Sequence, residues 1–308
     1  MFQDNQRRWA MSLLLLTVAL FVLLLTACGQ VNESSDSAVS GTAIAATVQA
    51  INVRATPVTA LPTALPSALP TASSSVDGES FDRIIRFSGQ EWKVKSSNKS
   101  VGPGPNYFSN SPESVWVDES GQLHLKMIRK DGRWYCAEVV TAEPLGYGSY
   151  QFKISSGAAN LDKYAVLGLF TWDTTAPQFN YREIDIELSR WGEEAGLNAQ
   201  FVVQPWDHSG NRHRFAIDPQ ADSSTHIFVW SPKSVQFLSF LGGAQSPDPN
   251  DVGEQWSYSG ADTPPAGGPT NARINLWLIG GHPPSDGDEI EIVLSSFEFI
   301  PQAPTKQN

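Results

Sequence analysis

Tyr181-Arg182-Glu183-Ile184-Asp185-Ile186-Glu187-Leu188 is the stretch of sequence from which the prediction of the fold begins. Its side chains alternate: the acids Glu183, Asp185 and Glu187 fall on one side, with Tyr181 beside them, and aliphatic residues fall on the other. An alternation of period two predicts a β-strand, because successive side chains of a strand point to opposite faces of its sheet. The aliphatic side would face a core and leave the carboxyl groups in a row on an open face.

This row of acids has two interpretations. Like charges on one face of a strand repel each other and cost stability, and paired carboxyl groups are the groups that hydrolyse glycosidic bonds. A half-buried strand with acids facing water is also common. Residues 288–292 alternate acid with isoleucine in the same way, and we interpret them as an ordinary edge or surface strand. The spacing alone does not choose between the two interpretations.

The chain around this stretch, from residue 81 to residue 303, predicts one all-β domain. Gly, Pro and aromatic residues are frequent, and about ten short alternating runs are separated by turn signals. These runs are 114–117, 122–128, 134–140, 148–154, 164–170, 198–204, 226–230, 234–240, 273–279 and 289–299. With no convincing long helix, they predict a β-sandwich, and roughly 220 residues suffice to bury its core.

Charge and metal-ligand spacing exclude several classes of function. The net charge of −11 argues against a nucleic acid or an anionic membrane surface as partner. His208 and His213 flank a Gly-Asn turn and do not share a helical face, so we predict no metal site. Of the two cysteines, Cys136 has no intrachain partner if Cys28 carries lipid, and it is either reactive or, as we favour, a buried inert thiol.

Residues 1–27 have the pattern of an export signal that ends at a lipidated cysteine. Arg7 and Arg8 precede an apolar run over 11–26, and Leu25-Thr26-Ala27-Cys28 resembles the lipobox of bacterial lipoproteins. An uncleaved signal anchor is the alternative, although the run is short against the about 20 residues that span a bilayer. We predict that the lipidated Cys28 is the first residue of the mature protein.

Residues 28–80 predict a disordered tether. They are rich in Ser, Thr, Ala and Pro, and residues 59–70 repeat a Thr-Ala-Leu-Pro pattern with proline at every fourth position. Such spacing blocks helices and sheet ladders and favours extended chain. The tether and the export signal together predict a folded domain outside the cytoplasm, lipid-anchored at the cell surface or secreted.

Four stretches in register resemble the family-16 glycoside hydrolases, the clan of lichenases, laminarinases and xyloglucan transglycosylases. Residues 183–187 match the E-x-D-x-E signature of that family, and residues 146–152, 225–237 and 274–277 resemble its other conserved strands. The resemblance covers roughly residues 90–300. It implies a β-jelly-roll, concanavalin A-like sandwich of two antiparallel sheets that acts on a polysaccharide with retention of configuration.

The same resemblance implies a role for each acid. Glu183 takes the place of the nucleophile, Glu187 that of the acid/base, and Asp185 would tune the nucleophile. Retention needs carboxyl groups about 5–5.5 Å apart, whereas four residues of strand span about 13 Å. The two glutamates must therefore lean towards each other across Asp185.

The alternation of side chains along the strands and the family resemblance also predict the side chains that contact substrate. We expect Tyr181 to form an aromatic platform and Trp277 to stack on a sugar. We expect polar contacts from Gln200, Gln204 and Asn275, which alternate with buried residues. Glu138 would add an acidic contact, and Asn106 lies in a loop that would overhang the cleft.

Departures from the family narrow the expected function. Val140 and Val202 replace polar groups that lichenases use, so we do not expect lichenase-like specificity. The family often holds a structural calcium, but residues 295–299 lack the expected Asp, and we expect no required cofactor. Trp191 and the insert at 242–268 have no assigned role.

Three functions stay open for this expected monomer. The first is a retaining endo-glycosidase that cleaves a β-glucan or galactan, and the second is a transglycosylase that shares every catalytic residue. The third is a non-catalytic glycan-binding sandwich, which would not need three stacked acids.

Overall fold

The computed structural model describes residues 78–243 and 253–303. The predicted signal peptide, Cys28 and the predicted tether up to residue 77 lie outside these residues, as do residues 244–252 of the insert. The first described strand begins at Glu79. In the part of the chain that the structure describes, no helix is long and apolar enough to cross a membrane.

The described residues form strands joined by loops and three short 3₁₀ segments. In chain order the strands are β1 Glu79–Phe87, β2 Gln90–Ser97, β3 Val115–Val117, β4 Leu123–Lys130, β5 Arg133–Tyr135, β6 Ala137–Thr141, β7 Gly148–Ile154, β8 Ala165–Trp172, β9 Ile184–Leu188, β10 Ala199–Val203, β11 Arg212–Phe215, β12 Ser224–Ser231, β13 Ser234–Leu241, β14 Glu254–Tyr258, β15 Asn271–Leu278 and β16 Ile290–Pro301. The 3₁₀ segments are Ala158–Asn160, Pro177–Arg182 and Ile279–Gly281.

These strands make two eight-stranded antiparallel sheets. The front sheet has the order β1-β2-β6-β15-β8-β9-β10-β11, and the back sheet has the order β14-β13-β12-β7-β16-β4-β3, with β5 paired to β4. Several neighbouring strands are distant in sequence, such as β6 and β15 in the front sheet and β4 and β16 in the back sheet, as in a jelly roll. The predicted jelly-roll sandwich is confirmed.

The core lies between the two sheets, and the residues that face it are those that the alternation of side chains predicts. In β9 the aliphatic residues Ile184, Ile186 and Leu188 are fully buried and belong to the same core cluster as aromatic residues of the back sheet. Phe201 of the front sheet stacks on Phe237 of the back sheet with ring centroids 4.9 Å apart. Because this side of β9 is fixed by burial, its acids have to face away from the core.

The ten predicted runs all coincide with strands, and the misses have identifiable causes. β1, β2, β11 and β14 were not predicted, because charged residues interrupt their apolar alternation. Residues 288–292 were predicted to be an edge or surface strand, and of these alternatives the structure supports the surface strand, because β16 lies between β7 and β4 and is not at an edge. Its acids Glu289 and Glu291 do face solvent.

One core position of the back sheet is a histidine. His226 is fully buried in β12, between the hydroxyl groups of Ser224 and Ser239, each 2.8 Å from a ring nitrogen. Burial lowers the pKa of His226 to about 3, because no charge lies beside the ring to offset the cost of ionising it there. The folded protein therefore holds this ring neutral across the physiological range.

Acid should destabilise the fold through His226. Between pH 6.5 and about 3 the unfolded chain binds a proton at this histidine that the folded chain does not bind. The contribution of the neutral ring to the free energy of unfolding is therefore complete above pH 6.5 and is lost as the pH falls, by about 2 kcal/mol at pH 5. We expect the free energy of unfolding, measured in urea, to decrease between pH 7.5 and pH 5 in the wild type. In His226→Gln this decrease should be smaller by about 2 kcal/mol. An equal drop in both proteins would contradict this.

Candidate active site

The residues just before β9 form a tight left-handed turn, not the start of the strand. Asn180, Tyr181 and Arg182 have φ values of 48°, 57° and 54°, and β9 begins only at Ile184. The prediction of a strand through Tyr181 was therefore wrong. A non-glycine residue in this region costs of order 1–3 kcal/mol, so three in succession need strong external support.

That support comes from the end of β8 and from a loop of the insert. The Thr171 hydroxyl donates to the carbonyl of Arg182 at 2.7 Å and accepts from the amide of Ile184 at 3.1 Å. The Arg182 guanidinium forms an ion pair with Asp173, and its Nε donates to the carbonyl of Pro265 at 2.7 Å. These contacts fix the backbone on both sides of Glu183, and so the direction in which its carboxyl group points.

Tyr181 packs beside the cleft and is 37% exposed. Its ring stacks on Trp172 with centroids 4.3 Å apart and planes 8° apart, and Trp172 lines the cleft, whereas Tyr181 does not. The expected aromatic platform is thus provided by Trp172, which the sequence analysis missed because it lies on β8.

The three acids lie together on the floor of a cleft, and two glutamines hold two of them. Gln204 Nε2 donates to Asp185 Oδ2 at 3.0 Å, and Gln200 Nε2 donates to Glu187 Oε2 at 2.6 Å. Gln200 is the direct cross-strand partner of Glu187. Each glutamine occupies one oxygen of its carboxyl partner, and Asp185 also shares a hydrogen bond with Glu183.

Crowding and burial make these carboxyl groups hold their protons. Burial, and next the charge of Glu187, raise the pKa of Glu183 to about 8, although a hydrogen bond with Asp185 and the charge of Arg273 act in the opposite direction. Burial also raises the pKa of Glu187, and burial with the charges of both glutamates raises the pKa of Asp185 well above its ordinary value. The three groups titrate as one coupled set.

The cleft has a volume of about 710 Å³ and crosses the exposed face of the front sheet from β2 to β11. Five of the seven predicted substrate-contact residues line it together with the three acids: Glu138, Gln200, Gln204, Asn275 and Trp277. Tyr181 and Asn106 are not among the lining residues.

The loop that carries Asn106 does overhang the cleft, but Asn106 itself is buried. Its Nδ2 donates to the carbonyls of Pro103 and Leu278, both at 2.8 Å, so it ties the loop to the end of β15. Gly102 and Pro103 of the same loop line the cleft. Asn106 positions the loop and has no free donor for a sugar.

Glu138 is held in two ion pairs. One carboxyl oxygen accepts from Arg273 at 2.8 Å, and the other lies 3.2 Å from the ammonium of Lys95. The acid, which is 1% exposed, would be costly to bury without these partners. Its main effect is to fix Arg273, whose charge lowers the pKa of Glu183.

Gly168 is a floor residue that the sequence analysis missed. It pairs across the sheet with Asn275 on one side and with Glu187 on the other. Its missing side chain leaves room for the Asn275 Oδ1, which would lie 2.5 Å from a Cβ at this position. That buried oxygen has no hydrogen-bond donor among the described residues, which makes it a ready acceptor for a sugar hydroxyl.

Gly168→Ala is expected to reduce kcat/KM on polysaccharide by about 10²-fold, because the new methyl group displaces Asn275 and fills the floor beside Glu187. The melting temperature should not fall, since Ala suits a strand better than Gly. Gly157→Ala, at an exposed position with no heavy atom within 4 Å, is the matched control and should change neither quantity. Unchanged activity of Gly168→Ala would show that substrate does not use this floor.

The residues without an assigned role divide between the cleft and the core. Trp191 lines the cleft. In the described part of the insert, β14 extends the back sheet and its Trp256 stacks on Phe237 with centroids 5.2 Å apart. Val140 and Val202 are buried and do not line the cleft.

Cys136 and the histidines play no part in the cleft. Cys136 is fully buried, and burial raises the pKa of its thiol to about 12, as expected of an inert thiol. His208 pairs with Asp262 and His213 with Glu254. Within residues 78–243 and 253–303, no group of three or more His, Cys, Asp or Glu side chains is arranged to hold a metal ion.

Comparison with known proteins supports the fold. No protein-family profile and no curated protein sequence matches the chain. Solved structures do match: a β-glucanase of Bacillus licheniformis has a TM-score of 0.51 and 16% identity, over 68% of this chain and 92% of that one. A non-specific endo-β-1,3(4)-glucanase of glycoside hydrolase family 16 has a TM-score of 0.51 and 14% identity, over 76% and 93%.

The chain has the fold of the family-16 β-glucanases. A third similar structure is that of an immunostimulatory antigen and pseudo β-1,3-glucanase of Mycobacterium tuberculosis, with a TM-score of 0.52 and 16% identity over 69% of this chain and 91% of that one. Because identities this low establish the fold alone, the function has to be inferred from the cleft itself.

Proposed function

We propose that this protein is a retaining endo-acting glycoside hydrolase that cleaves a β-linked polysaccharide of the β-glucan or galactan type. The observation that carries the proposal is the set of three crowded carboxyl groups on the floor of an open cleft, of which Asp185 is buried and Glu183 and Glu187 are half-buried. Such a set costs stability and has no structural use of its own. Glycoside hydrolysis by double displacement requires a carboxylate and a carboxylic acid side by side.

In the first step Glu183 attacks the anomeric carbon. Its carboxylate forms an ester bond to that carbon while the glycosidic C–O bond breaks, and the leaving oxygen takes the proton of Glu187. Asp185 retains its proton because its pKa is raised, and it donates a hydrogen bond to Glu183. This bond and the charge of Arg273 partly offset the burial and the charge of Glu187 that raise the pKa of Glu183, and so favour the anionic form that the attack needs.

In the second step water resolves the ester. Glu187, now ionised, removes a proton from a water molecule, and the resulting oxygen forms a bond to the anomeric carbon as the bond to Glu183 breaks. Two inversions at one carbon give net retention. Gln200 holds one oxygen of Glu187 throughout, so that the other serves both as acid and as base.

The shape of the cleft supports attack within a chain. Side chains from β6, β15, β8, β9 and β10 all line it, so the acids lie in the middle of the groove and not at a closed end. Trp172 lies on β8, the strand next to β9, and Trp277 lies on β15, one strand further away. Both offer flat surfaces for sugar rings. A polysaccharide bound across the sheet would extend beyond the acids in both directions.

The test is release of reducing sugar from a panel of β-glucans, agar, carrageenan and xyloglucan. We expect oligosaccharides from at least one of them, with the anomeric configuration of the substrate in the first product seen by NMR. Products longer than the starting oligosaccharide would identify a transglycosylase. Binding of a glycan without any cleavage would overturn the proposal in favour of a non-catalytic binding module.

We also propose that Cys28 carries a lipid that anchors this hydrolase outside the cytoplasm. The support is the small-residue approach to Cys28 and the Pro-rich segment that follows it. A clickable fatty-acid probe is expected to label the wild type and not Cys28→Ala, and the variant should leave the membrane fraction. Cys136→Ala is the matched control and should be labelled as strongly as the wild type. Equal labelling of Cys28→Ala would disprove the anchor.

A further inference from the structure

The cleft is electrically asymmetric. At the β2 end its cations are compensated, because Lys95 lies 3.1 Å from Glu79 and both Lys95 and Arg273 pair with Glu138. At the β11 end the cations are Arg212 and Arg214. Among the described residues, Arg212 has no ion pair, although it lines a cleft in a protein of net charge −11.

Each of these arginines stacks on a tryptophan that also lines the cleft. The Arg212 guanidinium lies 5.2 Å from the centre of the Trp206 ring, and that of Arg214 lies 4.5 Å from the Trp191 ring. Trp206 is 54% exposed, so its position at the rim is not explained by core packing. Stacking covers the face of a guanidinium and leaves its in-plane N–H groups directed outwards.

The donors of Arg214 are poorly used within the protein. Its contacts to Glu193 and to the carbonyl of Leu197 are long, at 3.5 and 3.4 Å, and its buried Nε has no acceptor among the described residues. A buried donor without an acceptor is costly, and an oxyanion in the cleft would supply that acceptor.

The register of the strands places this cluster beside the reacting groups. Arg214 pairs across the sheet with Gln200, which in turn pairs with Glu187, so the arginine is two strands, or about 10 Å, from the acid/base. Arg212 pairs with Val202, whose other partner is Asp185. A sugar bound over β11 is therefore part of the same polysaccharide as the glycosidic bond that lies over β9.

We propose that the β11 end of the cleft is a subsite for an anionic sugar, in which Arg212 and Arg214 bind a sulfate ester or carboxylate while Trp206 and Trp191 flank the ring. The inference rests on the proposed glycoside hydrolase function and specifies its substrate as an acidic polysaccharide. Binding has a further effect on the chemistry. The charge of Arg212 lowers the pKa of Glu187, so an anion that neutralises it helps Glu187 to keep the proton that the leaving group needs.

Binding can be tested without turnover, in the full chain carrying Glu183→Gln. The probes are laminarin, sulfated laminarin and carboxymethylated laminarin, titrated by calorimetry at 150 mM NaCl. We expect at least one anionic probe to bind about tenfold or more tightly than laminarin. Tighter binding of the sulfated probe alone assigns a sulfate ester, and of the carboxymethylated probe alone a carboxylate.

Arg212→Gln, at an exposed position, should abolish this preference, because it weakens binding of the anionic probes about tenfold more than binding of laminarin. Arg129→Gln, an exposed arginine of β4 in the back sheet, is the control and should keep the preference. Equal or absent binding of all three probes, or a preference that survives Arg212→Gln, overturns the subsite. If the wild type cleaves no polysaccharide but the arginine-dependent preference exists, the proposed hydrolase function fails and the subsite stands.

Discussion

Glu183→Ala is expected to lower turnover of polysaccharide by at least about 10⁴-fold, because it removes the group that attacks the anomeric carbon. Glycan binding should persist, since Trp277, Asn275 and the glutamines remain. The melting temperature should stay the same or rise, because burial and the charge of Glu187 disfavour the ionised form of this carboxyl group. Azide should restore turnover of an activated aryl glycoside and give a glycosyl azide of inverted configuration.

The matched control for this variant lies in the other strand that alternates acid with isoleucine. Glu289 is exposed and pairs with Lys126 at 2.9 Å, so Glu289→Ala should lose neither activity nor more than about 1 kcal/mol of stability. Wild-type turnover in Glu183→Ala would remove Glu183 from the mechanism. Loss of glycan binding in a protein that never cleaves would instead make the acids ligand contacts.

The loss of activity in Glu187→Ala should depend on the leaving group of the substrate. Polysaccharide cleavage is expected to fall by about 10²–10⁴-fold, whereas aryl glycosides with acidic phenols should lose much less in the first step, because they need no proton. With azide the product should be a glycosyl azide of retained configuration, opposite to that from Glu183→Ala. The same configuration from both variants would contradict the assigned roles.

The pH dependence gives a second measurement of the role of Glu187. Burial raises the pKa of Glu187, so this acid stays protonated to a higher pH than a free glutamic acid. In the wild type, activity should fall on the alkaline side as the pH rises through that pKa and the acid loses its proton. In Glu187→Ala acting on an aryl glycoside this alkaline fall should be absent, and its persistence would assign the proton to another group.

The sequence predicts best which side chains of a strand face the core and which face the cleft. Ile184, Ile186 and Leu188 can be buried only if Asp185 and Glu187 face outwards, so one strand fixes both the core and the cleft floor. The same rule places Gln200 and Asn275 on that floor. It works because the period of a strand is a property of the backbone and needs no knowledge of neighbouring strands.

Contacts between distant residues explain what the sequence does not predict. The left-handed turn at 180–182 contains no glycine, and it exists because Thr171, Asp173 and Pro265 hold it. The ion pairs of Glu138 join residues 43 and 135 positions away in the chain. Neither feature leaves a local pattern, and so Tyr181 was placed on the wrong element.

Arg182 ties a loop of the insert to the turn that orients Glu183. It contributes one of the left-handed residues directly before Glu183, and its Nε is bound to the backbone of the insert at Pro265. Loops at the rim of a scaffold are usually the parts that can be exchanged to change substrate range. Here a grafted loop that lacks an acceptor at position 265 would release the turn and misdirect the nucleophile. Loop grafting to alter specificity should therefore begin at residues 102–106, which line the cleft at Gly102 and Pro103 and are held by Asn106 to the end of β15 and by Lys95 to β2.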